Sequence, residues 1–299
     1  MTTSRPTQDI KDRREAIFFL LVILAVMVIA YGPLMGGVWE LSSRTTQAIN
    51  AFVLLGVAFW DAFRATLRTG AFRPVINAHG LLLFGMSCLA LATASWTQVW
   101  PFAVMGLCLN VGALLSFCFG RTGVKAFYPA LAGFGVMVFM LVWVPQVDGL
   151  LRVLAGRATS WVLPVLGIRA DLLIQQDPFQ VFLVAEKGAG VFSVATECNG
   201  FGILLSSVLL SLILTLRRRA PITKVVALAT LSVVIGLAFN IIRIVAIAAA
   251  TLWTTVRYSF IHEGLGTVIY LLALLAVTLL NRGMITGTRS SYCHDPEVL

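Results

Sequence analysis

Charge is what this chain has least of. Only 12% of its 299 residues are Asp, Glu, Lys or Arg, against about a quarter in a soluble domain. Hydrophobic residues reach 59%, where about half is ordinary. Too few polar side chains remain to cover a water-facing surface, which excludes an ordinary soluble enzyme. Histidine is scarcer still, with three, and the five cysteines fall at no metal-type spacing. A structural or catalytic metal is therefore not expected, nor any other cofactor. Internal repeats are missing too, which counts against a transporter built from inverted halves. The net charge of +9 could suggest a nucleic-acid partner. The basic residues, however, stand mostly in short segments between apolar runs, where they act as an orientation signal. No nucleic acid is expected.

What the chain has is long apolar runs, each near the ~20 residues needed to cross about 30 Å of hydrocarbon. Eight candidate spans fall at about 16–38, 48–66, 76–96, 98–119, 125–145, 199–216, 225–253 and 261–281. The first follows Lys11, Arg13 and Arg14 as a signal peptide does, but it is too long for one and reads as a retained helix. The third and fourth are separated only by a tight turn near Gln98–Pro101. With the N-terminus inside, the cytoplasmic segments hold 15 of the 22 basic residues, and the short outer loops only Arg44 and Arg257. Both termini are therefore expected in the cytoplasm.

Residues 146–198 differ from the rest. Apolar residues in 147–168 are spaced like a helix lying on the membrane surface. Pro178 to Thr196 then reads as two strands, FQVFLVAE and GVFSVAT, turning at Lys187-Gly188-Ala189-Gly190. The expected fold is an all-α membrane protein of about eight transmembrane helices. Between the fifth and sixth helices it carries a short extracytoplasmic amphipathic helix and a β-hairpin. Four regions follow: a cytoplasmic segment 1–15, a five-helix membrane region 16–145, an outer segment with three helices over 146–281, and a cytoplasmic tail 282–299.

Ionisable groups inside spans are costly and mark function by default. Arg243 lies 19 residues from Lys224, and Cys198 lies 19 from Arg217, each about 28 Å along a helix. His262 lies 20 residues from Arg282, or about 30 Å. Three different helices thus bring Cys, Arg and His to one depth, near the outer boundary. Cys198 opens the sixth helix, where free N–H groups and the helix dipole favour a thiolate nucleophile. His262 suits proton exchange with the thiol and a leaving amine. Arg243 cannot give up its proton and suits an oxyanion or a substrate carboxylate. Asn240 shares the Arg243 face and could orient the guanidinium.

Simpler readings stand beside these. A membrane Cys is usually an apolar filler, which suits Cys88, Cys108 and Cys118, while Cys293 sits in the inner tail. Cys198 is the only cysteine expected outside, with no disulfide partner there. An interfacial His is often a snorkelling surface group, and Arg243 could pair with Glu197 as structural glue. His79 reads as structural, and His294 carries no signal.

At these residues the chain resembles the exosortase/archaeosortase family of membrane transpeptidases. The matching pieces are Glu197-Cys198-Asn199-Gly200, then Asn240-Ile241-Ile242-Arg243-Ile244, then His262-Glu263-Gly264. The family pattern is Cys-x-Gly at a helix start, Asn-x-x-Arg in the next helix and a His opening the last. The resemblance implies cleavage of a C-terminal sorting signal on secreted proteins: a short motif (often Pro-Glu-Pro), one transmembrane helix and a basic cluster. It implies Cys198 as the nucleophile that forms a thioester, with Arg243 and His262 as essential partners and Glu197, Asn199, Gly200 and Asn240 in support. It also implies a cytoplasmic (inner) membrane location, with the site on the outer side and membrane-anchored proteins as partners. Asn199 departs from the Ser that follows the Cys in many bacterial members, which leaves the recognised signal open. Other readings of the same residues are a transporter using Arg243 as an anion site, or a non-catalytic factor for envelope or exopolysaccharide assembly.

Overall fold

The computed structural model describes residues 18, 21–25, 28–32, 46–68, 74–176, 179–185, 190–193, 200–254 and 258–292. Among the described residues the long helices are α1 (Thr46–Arg68), α2 (Ala78–Thr97), α3 (Trp100–Val162), α4 (Phe201–Arg217), α5 (Ile222–Trp253) and α6 (Tyr258–Tyr292). Three strands lie between α3 and α4: β1 (Ala170–Gln176), β2 (Phe179–Ala185) and β3 (Gly190–Ser193). A shorter helical stretch, Leu21–Gly32, precedes α1.

Among the described residues six stretches are long and apolar enough to cross a membrane: Asn50–Arg68, Ala78–Thr97, Pro101–Gly120, Val124–Leu141, Ile222–Trp253 and Phe260–Met284. They make this a multi-pass membrane protein. Two of the eight expected spans are not among them. The one expected at 199–216 is α4, whose 17 residues reach only about 26 Å. The one expected at 16–38 lies partly outside the described residues. The turn expected near Gln98–Pro101 is present: Gln98 adopts a left-handed conformation (φ 55°) after α2, and α3 begins at Trp100. Helix α3 is broken at Gly120 (φ 67°, ψ 179°), a backbone geometry that suits glycine.

The chain divides into two compact units, residues 1–42 with 53–142 and residues 43–52 with 143–299. In the first, Asn77 caps α2 by accepting from the Gly80 amide at 2.7 Å, and it donates to the Ser116 carbonyl at 2.8 Å. Ser87 and Tyr31 join their hydroxyls at 3.0 Å. Buried Ile23, Ala113 and Phe117 pack together beside them. These contacts tie helix ends and polar side chains within an apolar bundle, where an unmade hydrogen bond is costly.

The second unit carries the sheet and helices α4 to α6. The strand pair expected from FQVFLVAE and GVFSVAT is β2 and β3, antiparallel, with Phe182 opposite Ser193 and Ala185 opposite Gly190. Residues 186–189, most of the expected turn, lie outside the described residues. A third strand, β1, was not expected; it pairs antiparallel with β2 from Ala170↔Ala185 to Gln176↔Phe179. The helix expected over 147–168 ends earlier. It stops at Val162, becomes a 3₁₀ turn over Leu163–Leu166 and ends on Gly167 (φ 76°). Pro164 explains the stop, since it supplies no amide hydrogen to continue the helix. Ala155 of this segment packs with Val181 and Leu183 of β2 and with Ile244 of α5. Leu163 and Ile168 pack with Val245, Ala248 and Ala249. One face of the second half of α5 is thus covered by sheet and turn.

Candidate active site

Helix α4 starts from Gly200, which has φ 80° and ψ 1° and passes its carbonyl to the Leu204 amide at 3.0 Å. A non-glycine residue is strained in that conformation. Space forbids one as well. A Cβ at Gly200 would land on the Asn240 side chain, 2.5 Å from its Nδ2. Asn240, 1% exposed, therefore rests directly against the backbone that leads into α4. One turn further along α4, Leu204 lies against Gly236 of α5, where a Cβ would sit 3.0 Å from the Leu204 Cα. Two glycines, one on each helix, draw α4 and α5 together as small residues do in membrane bundles.

Arg243 is three residues beyond Asn240 on α5 and is 4% exposed. Its Nη2 stands 3.5 Å from Nε2 of His262 on α6. A guanidinium only donates, so any hydrogen bond between the two has Nε2 as its acceptor. The ring of Tyr258, one turn before His262, lies 5.6 Å from the imidazole, tilted by 35°. The guanidinium also presses on bare backbone: a Cβ at Gly266 would stand 2.9 Å from Nε and 3.2 Å from Nη2. Helices α5 and α6 are further joined by Tyr270, packed with Phe239 and Ile203.

Among the residues expected to form a site, the structure brings Gly200 to Asn240 and Arg243 to His262, all within the second unit. Glu197, Cys198 and Asn199 lie outside the described residues. The chain enters α4 at Gly200, two positions after Cys198. Asn240 was expected to orient the guanidinium; its side chain lies against Gly200. Three residues escaped the sequence reading: Gly236, Gly266 and Tyr258. For the last two a signal existed, because Tyr258, His262 and Gly266 recur every four residues and share one helix face.

The fold and these contacts define a class: a multi-pass membrane protein with a buried arginine held against a histidine. The family model of the transmembrane exosortases matches residues 38–279, a stretch that includes every residue just named, and the chain belongs to that family. Comparison with curated proteins and with solved structures found no match.

Proposed function

We propose that this exosortase-family protein is a cysteine transpeptidase or protease that cleaves C-terminal sorting signals of secreted, membrane-anchored proteins. The observation that carries the reading is the Arg243–His262 contact at 3.5 Å, on helices whose third partner, α4, opens three residues after Cys198. Chemistry for acyl transfer needs a nucleophile, a proton carrier and a fixed positive charge. Cys198, His262 and Arg243 supply those three functions.

In the proposed reaction the Cys198 thiolate attacks the scissile carbonyl carbon, and the carbonyl π electrons move to oxygen. Arg243 stabilises that oxyanion. The carbon–nitrogen bond then breaks, the departing amine takes a proton through His262, and an acyl thioester remains on Cys198. An acceptor amine or water attacks the thioester and passes its proton to His262, and the thiolate leaves. Asn240, against Gly200, steadies the backbone that enters α4. A substrate held by its own transmembrane helix meets the site as a neighbour rather than by free diffusion, which removes much of the entropic barrier. The basic residues of this chain support an outer-face site in the cytoplasmic membrane with both termini inside.

The test is Cys198→Ala and Cys198→Ser in cells that produce a secreted protein with a C-terminal helix and basic tail. Processing is expected to stop while the protein level and membrane insertion stay normal. Unchanged processing in Cys198→Ala removes the nucleophile assignment. A thioester-linked substrate trapped on wild type, cleavable by hydroxylamine and missing from Cys198→Ala, is the positive counterpart.

A further inference from the structure

We propose that Gly266 is a positioning residue, whose missing side chain forms the seat of the Arg243 guanidinium. The catalytic consequence rests on the function proposed above; the seat itself rests on geometry. Gly266 follows His262 by four residues on α6, so both face the same way. A Cβ there would lie 2.9 Å from Nε, 3.2 Å from Nη2 and 3.4 Å from Cζ of Arg243. Ordinary contacts begin at about 3.5 Å. The three nearest atoms all belong to the end of that one side chain. The flat cation therefore lies on bare α6 backbone and extends one turn back, to His262 at 3.5 Å.

This arrangement separates fold from function. The nearest obstacle to a methyl group at position 266 is a flexible side chain and not a helix backbone. Helices α5 and α6 are thus free to stay in place while the guanidinium is driven off its seat and away from His262. Glycine inside a helix is also less stabilising than alanine. The substitution Gly266→Ala should on that account firm the helix while it spoils the site. Gly264, in the same His262-Glu263-Gly264-Leu265-Gly266 run, is exposed and would meet nothing within 4 Å. It is the natural control.

The experiment uses the full chain in detergent micelles with ¹⁵N-labelled histidine. The chain has three histidines, and His262→Gln identifies the resonances of interest. Gly266→Ala and Arg243→Gln are expected to move the His262 ring nitrogen resonances, and Gly264→Ala to leave them in place. In the Arg243→Gln background, adding Gly266→Ala should change them no further. If Gly266→Ala leaves them fixed, or still moves them once the arginine is gone, the seat is wrong. Should Gly266→Ala fail to fold, the double variant must fold, because the shorter Gln vacates the space; its failure also overturns the seat. In a processing assay Gly266→Ala should lose about 10- to 100-fold without a lower melting temperature, and Gly264→Ala should stay within about twofold. Shifted resonances with full processing would keep the seat but remove Arg243 from the reaction, and with it the positioning role.

Discussion

A guanidinium keeps its proton at any working pH, so burying Arg243 to 4% exposure is costly unless neighbours replace water. The imidazole nitrogen of His262 is one such neighbour, and it is the one with chemistry of its own. The exchange Arg243→Lys keeps the charge but replaces a planar fork with a point donor on a flexible stem. Processing is expected to fall about 100-fold at normal protein level, read as the ratio of cleaved to uncleaved substrate; full activity would refute the oxyanion role. Tyr258 bears on the same imidazole from the opposite turn. For Tyr258→Ala we expect a loss of about three- to tenfold in processing, as a ring–ring contact is worth ~0.5–1.5 kcal/mol; an unchanged rate means that the tyrosine does not hold the histidine. Arg243 and His262 were legible in the sequence because ionisable groups stand out in an oily chain. Gly266 was not. A glycine shows its purpose only when the atom that fills its space is known, and that atom comes from another helix.

Among elements, α4 and α5 approach closely where Gly236 faces the Leu204 backbone. Here the obstacle is a Cα and not a side-chain tip, so the helices themselves must part. The substitution Gly236→Val is expected to destabilise the unit by about 1–3 kcal/mol, measured as a lowered melting temperature in detergent. A melting temperature equal to wild type would mean that the two helices are not in contact there. Long apolar runs made α2 and α5 readable to within a few residues, and the start of α6, which runs on past its expected end at 281 to Tyr292. The strands β2 and β3 were readable because Val181 and Leu183 alternate with their neighbours toward one buried side. Strand β1 was missed for a physical reason. Its residues ADLLIQQ show a weak apolar alternation, and it owes its conformation to the seven-residue ladder with β2. The early end of the helix before it was signalled by Pro164, which the apolar spacing of 147–168 outweighed.

At the scale of the whole molecule, the asymmetry of the basic residues predicts which ends of the helices face the cytoplasm. A membrane-impermeant maleimide on spheroplasts should label Cys198 and spare Cys293, with lysis exposing the latter. Labelling of Cys293 alone would reverse the orientation and move the proposed site to the inner face. The described residues hold Cys88, Cys108 and Cys118 as free thiols, so a background strain lacking these three cleans the assay.

The burial of Arg243 also bears on how the protein is made. An arginine at the middle of an inserting helix costs about 2.5–3.5 kcal/mol, and each Leu, Ile, Val or Phe returns about 0.3–0.6. Helix α5 has 32 residues, sixteen of them Ile, Val, Leu or Phe, worth about 5–10 kcal/mol on that scale. The segment therefore has enough apolar weight to leave the translocon with its arginine aboard, before α6 exists to receive it. The histidine and the glycine seat arrive later, with the last helix. Partnering of the arginine then becomes a step of assembly within the bilayer and not a condition for entering it.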